Sequence, residues 1–135
     1  MKTVKVFINH ASEDDALARS LYNELKKQPW IDPWLDTVKL LPGHDWKYEI
    51  ERALDEADAV LVCMSPNSVG KTGYVQAEIR KAEERQLNRP SGKIYMIPVL
   101  LEKCNVPLDL KKYQWVDITI PGNTDLIIRS LETLL

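Results

Sequence analysis

The sequence predicts an α/β domain: an open, mostly parallel sheet of five strands with helices on both faces. Three observations lead there. Short apolar, β-branched runs alternate five times with stretches of helical periodicity. One of those runs, Ala59 to Met64, is apolar throughout, as a central parallel strand covered on both faces must be. The length, 135 residues, makes one domain, large enough to bury about two thirds of its unfolded surface without disulfides.

Val4 to Ile8 forms the first strand and breaks at Asn9, His10 and Ala11. In the helix after it, Ser12 and Asp15 make an acidic form of the capping box, while Glu13 and Asp14 suit the positive end of the helix dipole. Leu17, Leu21 and Leu25 line its inner face, and Pro29 closes it. Pro33 to Asp36 reads as a very short second strand. Thr37 to Asp45 is then a loop with two adjacent leucines, Leu40 and Leu41, ahead of Pro42 and Gly43. Leucines on a loop either meet a partner or pack down on their own domain. Asp45 is placed to N-cap a second helix, in which Trp46, Ile50, Ala53, Leu54 and Ala57 recur at helical spacing; Asp58 ends it.

Beyond the central strand, Ser65 to Ser68 forms an exit loop leading to a helix from Gly73 to about Arg85. Tyr74 and Glu78 stand one turn apart on a face beside the apolar stripe of Val75, Ile79 and Ala82. Taken alone, this segment reads Glu78 as a solvated charge paired with Lys81. Ile94 to Leu101 is a strand interrupted by Pro98, which belongs at a bulge or a free edge. Trp115 to Ile118 is the last strand, and Pro121 and Gly122 turn the chain into a closing helix with Leu126, Ile127, Ser130, Leu131 and Leu134 inward. No repeat or linker interrupts residues 1–135, a single domain of a kind that can be taken from a longer protein.

This alternation gives a flavodoxin-like outline with strand order 2-1-3-4-5. Its connections diverge between strands one and three, and the crevice at their carboxyl ends is where such sheets bind ligands. Asn9, His10 and Ala11 leave the first strand there. Ser65, Pro66 and Asn67 leave the third, and the helix of Tyr74 and Glu78 starts just beyond.

Several chemistries are excluded. A net charge of −2 without a basic stripe argues against nucleic acid as a partner. Apolar runs fall far short of the roughly 20 residues of a membrane span, and a signal-peptide core is missing. Cys63 and Cys104 have no CxxC partner and no clustered histidines, which argues against a metal site and fits a reducing cytoplasm. A phosphoacceptor aspartate is absent where Cys63, Met64 and Ser65 end the third strand, so a response-regulator receiver fails. The segment Ser65 to Thr72 approaches a phosphate-binding loop but has serine for its first glycine, and Pro66 restricts its backbone. Ser65 with His10, or Cys63 with a histidine, lacks the orienting acid of a nucleophilic site, and His44 reads as a polar loop residue.

The run Val6-Phe7-Ile8-Asn9-His10-Ala11-Ser12-Glu13-Asp14, the loop Asp36 to Trp46 with Leu41, Pro42 and Gly43, and the segment Gly73 to Arg85 together resemble a Toll/interleukin-1 receptor (TIR) domain of bacterial type. The resemblance spans nearly the whole chain. Many members of that family cleave NAD+ at the nicotinamide–ribosyl bond with a glutamate four residues after a tryptophan. The resemblance therefore implies Glu78 as the catalytic carboxylate, with Tyr74 in the tryptophan's place. It also implies that the loop between strand two and helix two mediates contacts between TIR domains and completes the active site. In this chain the loop is Asp36 to Trp46, with Leu40, Leu41, Pro42 and Gly43 as its assembly segment. NAD+ is then a substrate rather than a cofactor, bound by Asn9, His10, Ala11, Asp36, Leu41, Gly43, Trp46, Ser65 and Tyr74. Two further classes stay open: a TIR module that only binds other TIR domains, and a related nucleoside deoxyribosyltransferase, which usually carries further acidic residues. An enzyme of the first kind would act in bacterial antiviral defence or a similar NAD-depleting response.

Overall fold

The computed structural model describes residues 2–69, 74–89 and 93–135, with backbone alone for 74–79. Strands β1 (Val4–Asn9), β2 (Ile31–Trp34), β3 (Ala59–Met64), β4 (Met96–Leu100) and β5 (Val116–Asp117) form one sheet in the order β2-β1-β3-β4-β5. All neighbouring strands run parallel. This is the predicted flavodoxin-like outline.

Side chains alternate across β3 into two cores, as the period of two in a strand requires. Ala59, Leu61 and Cys63 join Val4, Val6 and Ile8 of β1 under α1 (Asp15–Lys26) and α6 (Thr124–Glu132). Val60, Val62 and Met64 face the other way with Phe7, under α3 (Trp46–Glu56) and α5 (Tyr74–Leu87). Two four-residue helices, α2 (Asp36–Lys39) and α4 (Pro66–Val69), lie within segments expected to be loops.

Several expectations need correction. Ser12 to Asp14 form a 3-10 turn and α1 begins only at Asp15, with no side-chain cap bond at either start. The inner face of α1 is Ala18, Leu21, Tyr22 and Leu25, whereas Leu17 is exposed. The second strand runs from Ile31 to Trp34, so Asp36 belongs to α2 and not to a strand. In α6, Ile127 and Leu131 point inward but Leu126 is exposed.

Pro98 lies at neither a bulge nor a free edge: β4 is an inner strand, with Pro98 in register opposite Val62. The alternation of peptide groups explains why proline is tolerated. The Tyr95 carbonyl accepts from Val60 N–H and the Leu101 N–H donates to Met64, so odd-numbered residues of β4 face β3. Pro98 therefore turns its missing N–H toward β5, and that ladder begins only at Val99.

At the opposite side, β2 is an edge strand. The Trp30 carbonyl accepts from Val4 N–H at 2.8 Å, and the Ile31 N–H turns back to the Gln28 carbonyl at 3.1 Å.

Candidate functional site

Two turns follow the carboxyl ends of β1 and β3. Asn9 closes β1 and is buried, and Ala11 behind it is wholly buried, its carbonyl accepting from Asp14 N–H at 2.9 Å. Ser65 closes β3 and is wholly buried too. Its hydroxyl donates to Asp14 Oδ2 at 2.5 Å and accepts the N–H groups of Asn67 and Ser68 at 3.1 and 3.2 Å. The Ser65 N–H in turn donates to Ser68 Oγ at 2.9 Å. The pair reproduces the reciprocal logic of a capping box around α4, with Pro66 in the first helical position.

Asp14 is the buried acid that sequence reasoning missed. It is 2% exposed and accepts from both Ser65 and Asn67 Nδ2, the latter at 2.8 Å. Its place in a charged run read as helix-start electrostatics, and nothing in that run marked one of three acids as internal. These bonds tie the end of β3 to the start of α1, so the floor between the two strands is fixed.

His10 takes a different acid. Its side chain is buried, with Nε2 at 3.4 Å from Asp15 Oδ1 and 3.9 Å from Asp36 Oδ1. Ser65 and His10 are thus not a nucleophile and its base; each engages its own aspartate. Asp15 further accepts from Arg19 Nε at 2.8 Å and from Thr37 Oγ1 at 2.6 Å, and Arg19 reaches the Thr37 carbonyl at 3.1 Å. Partial burial pulls the Asp15 carboxyl upward, but the Thr37 and Arg19 hydrogen bonds and the Arg19 charge outweigh it and leave the group below its ordinary range. The spacing of Asp15 and Arg19 was a legible signal for this pair; the reach of Thr37 from the loop was not.

Between Asp36 and Trp46 the chain is only partly a loop. Asp36 accepts from Thr37 N–H at 2.7 Å and starts α2. A tight turn follows, in which Leu41 N–H donates to His44 Nδ1 and His44 N–H to the Leu41 carbonyl, both at 3.0 Å. Gly43 supplies the positive φ of 94° that turn requires. The two leucines part ways. Leu40 is half-buried and, with His44, rims a cavity of about 310 Å³ between the β1–β2 edge and α3, lined also by Phe7, Trp34 and Arg52. Leu41 is 63% exposed, Pro42 and Gly43 beside it are exposed, and Trp46 on the first turn of α3 is 54% exposed.

Tyr74 opens α5 and Glu78 lies in its second turn. The directions of their side chains lie outside the described residues, as do residues 70–72 of the segment that approaches a phosphate-binding loop, and residue 73. The described part of α5 buries Ala82 and pairs with α3, through Lys81 and Glu51 at 3.4 Å and through Arg85 and Asp55. The expected pairing of Lys81 with Glu78 lies outside the described residues.

The fold defines an open α/β domain whose strand connections diverge between β1 and β3. Comparison with known proteins then gives the family. A family model described as "TIR domain" matches residues 6–133, and the chain belongs to that family. Among solved structures it is similar in fold to the TIR domain of the Toll-related receptor TRR-2 from Hydra magnipapillata (crystal form I). The TM-score is 0.77 at 21% identity, covering 96% of this chain and 99% of that one. No curated protein sequence matches the chain. Among the described residues, no helix is long and apolar enough to cross a membrane.

Proposed function

We propose that this TIR domain is an NAD+ nucleosidase whose catalytic carboxylate is Glu78, and that it acts when TIR domains assemble. The observation that carries the reading is the glutamate in the second turn of α5, four residues after an aromatic residue, in a chain of this family. Nicotinamide leaves NAD+ as a neutral molecule from a cationic pyridinium, so no general acid is required, in contrast to glycoside hydrolysis with two carboxylates. One carboxylate suffices. Glu78 holds the ribose hydroxyls and stabilises the oxocarbenium-like transition state, a contact of a kind commonly worth several kcal/mol. Tyr74 or Trp46 stacks on the cationic ring, at about 0.5–2 kcal/mol. Asn9 and His10, with the wholly buried Ala11 and Ser65 behind them, form the wall of the substrate crevice, and Asp36, Leu41 and Gly43 close it from the loop. Water or an atom of the substrate itself then captures the ribosyl cation, giving ADP-ribose or a cyclic isomer. A role in antiviral or other NAD-depleting signalling follows from that chemistry.

A second reading has its own support. The exposure of Leu41 and Trp46 on and beside the assembly loop suits a module that only binds other TIR domains. One assay separates the two. The protein, concentrated or crowded, is incubated with NAD+ beside Glu78→Ala, and nicotinamide is followed. The nucleosidase reading expects release that falls off more than linearly on dilution and drops by about 100-fold or more in the variant. Equal turnover by both proteins sinks the assignment of Glu78, and no turnover under any crowding favours the binding module.

A further inference from the structure

Three donor atoms from three separate elements converge beside the assembly loop. His10 Nε2 comes from the exit of β1, Asp15 Oδ1 from the start of α1 and Asp36 Oδ1 from the start of α2, all within 4.8 Å of one another. Thr37 orients both carboxylates through these same oxygens, its Oγ1 bonding Asp15 at 2.6 Å and its N–H bonding Asp36 at 2.7 Å. Each oxygen keeps a second lone pair. Arg19 occupies the other oxygen of Asp15.

The buried imidazole is what distinguishes this group from an ordinary acidic surface. Its side chain is 3% exposed, yet its Nε2 is aimed at two carboxylate oxygens, 3.4 and 3.9 Å away. A lone pair on Nε2 would repel those oxygens, so either an N–H or a cation lies between them. The distances are long for direct N–H···O bonds, which cluster at roughly 2.7–3.2 Å. The shorter one matches the separation of about 3.3–3.4 Å between two ligands of a tetrahedral ion with bonds of about 2.0–2.1 Å, and the longer, 3.9 Å, has to close on binding. The aspartate side chains are 31% and 36% exposed, which leaves an entry path and room for water.

The geometry points to a site for a divalent first-row transition ion, with His10 Nε2, Asp15 Oδ1 and Asp36 Oδ1 as its three protein ligands and water on the open side. One imidazole among the donors selects zinc-like ions over magnesium and calcium, which favour oxygen alone. Thr37 and Arg19 are the groups that hold the ligands in place. The ion joins the end of β1 and the start of α1 to the first turn of α2, and so fixes one end of the segment that carries Leu40 and Leu41. His10 and Asp36 also stand in the proposed substrate crevice, so the test reads metal binding alone, without NAD+.

The test uses the metal-free full chain and Zn2+ alone, titrated by calorimetry, with Mg2+ and Ca2+ as oxygen-preferring controls and Co2+ as a visible reporter. One Zn2+ per chain is expected. Affinity should fall at least tenfold in His10→Gln and in Asp36→Asn, and remain within twofold in His44→Gln and Cys104→Ser. Co2+ should give visible bands that are lost in Asp36→Asn. Asp36 is partly exposed, so this variant tests the site on a folded chain, checked by circular dichroism, even if His10→Gln destabilises the domain. Absence of stoichiometric Zn2+ binding overturns the inference and leaves an Nε2–H as the bridge. Binding unchanged in Asp36→Asn overturns it equally.

Discussion

Ser65 shows how a residue with two readings in the sequence acquires one in the fold. A serine at the end of a strand over a ligand crevice suggests contact with substrate, yet Ser65 is wholly buried and donates to Asp14. Hydrogen bonds to charged groups contribute about 1.5–3 kcal/mol, and a buried acceptor left short of a donor costs a similar amount. Ser65→Ala should therefore lower the stability of the domain by about 1.5–3 kcal/mol, seen as a reduced urea midpoint at unchanged slope. A change of only a few tenths of a kcal/mol would show that Asn67 alone satisfies Asp14. The pair was not legible because its partners lie 51 positions apart and the serine and the acid each had a sufficient local explanation. His10 is the converse case. Its place in the crevice followed from topology, but the two aspartates facing it come from elements whose boundaries shifted.

Elements were legible in proportion to their apolar periodicity. The central strand Ala59–Met64 matches its expected bounds, because six consecutive buried positions leave little else for such a run to be. The start of α3 was also readable, since Asp45 Oδ1 accepts the Tyr48 N–H at 3.2 Å as an N-cap should. Replacing a cap of this type costs about 0.5–2 kcal/mol, so Asp45→Ala should destabilise the domain by about 1 kcal/mol in a chemical unfolding curve. Asp45→Ser should restore most of that loss, and failure to do so would mean that the carboxylate acts through charge rather than through the cap. Short helices escaped notice. Single turns such as α2 and α4 have no amphipathic period to read, and side-chain bonds from Thr37, Ser65 and Ser68 hold these segments. On α1, Leu21 and Leu25 are buried as expected, but in the first turn Ala18 faces inward and Leu17 does not.

The molecule as a whole is a sheet sealed on both faces, and its two cysteines can report on that seal. Cys63 is buried in β3, where burial pushes its thiol far above the ordinary range, while Cys104 is partly accessible and shifted upward mainly by its own partial burial. A thiol reagent under native conditions should label Cys104 first. Cys63 should follow only at the rate of global opening, because a central strand opens with the whole domain. Comparable labelling of both would reveal a local opening at the crevice. The outer margin of the sheet carries another consequence. Trp30 and Asp32 direct their peptide groups to β1, which leaves Ile31 and Pro33 facing outward; the Ile31 N–H is already bonded to Gln28, and proline has none to offer. The rim of β2 thus presents acceptors without donors, and a second copy adding its own strand there would find half of the ladder missing. Growth into a continuous intermolecular sheet is blocked along that rim, so association on this side of the domain must proceed through side chains and loops.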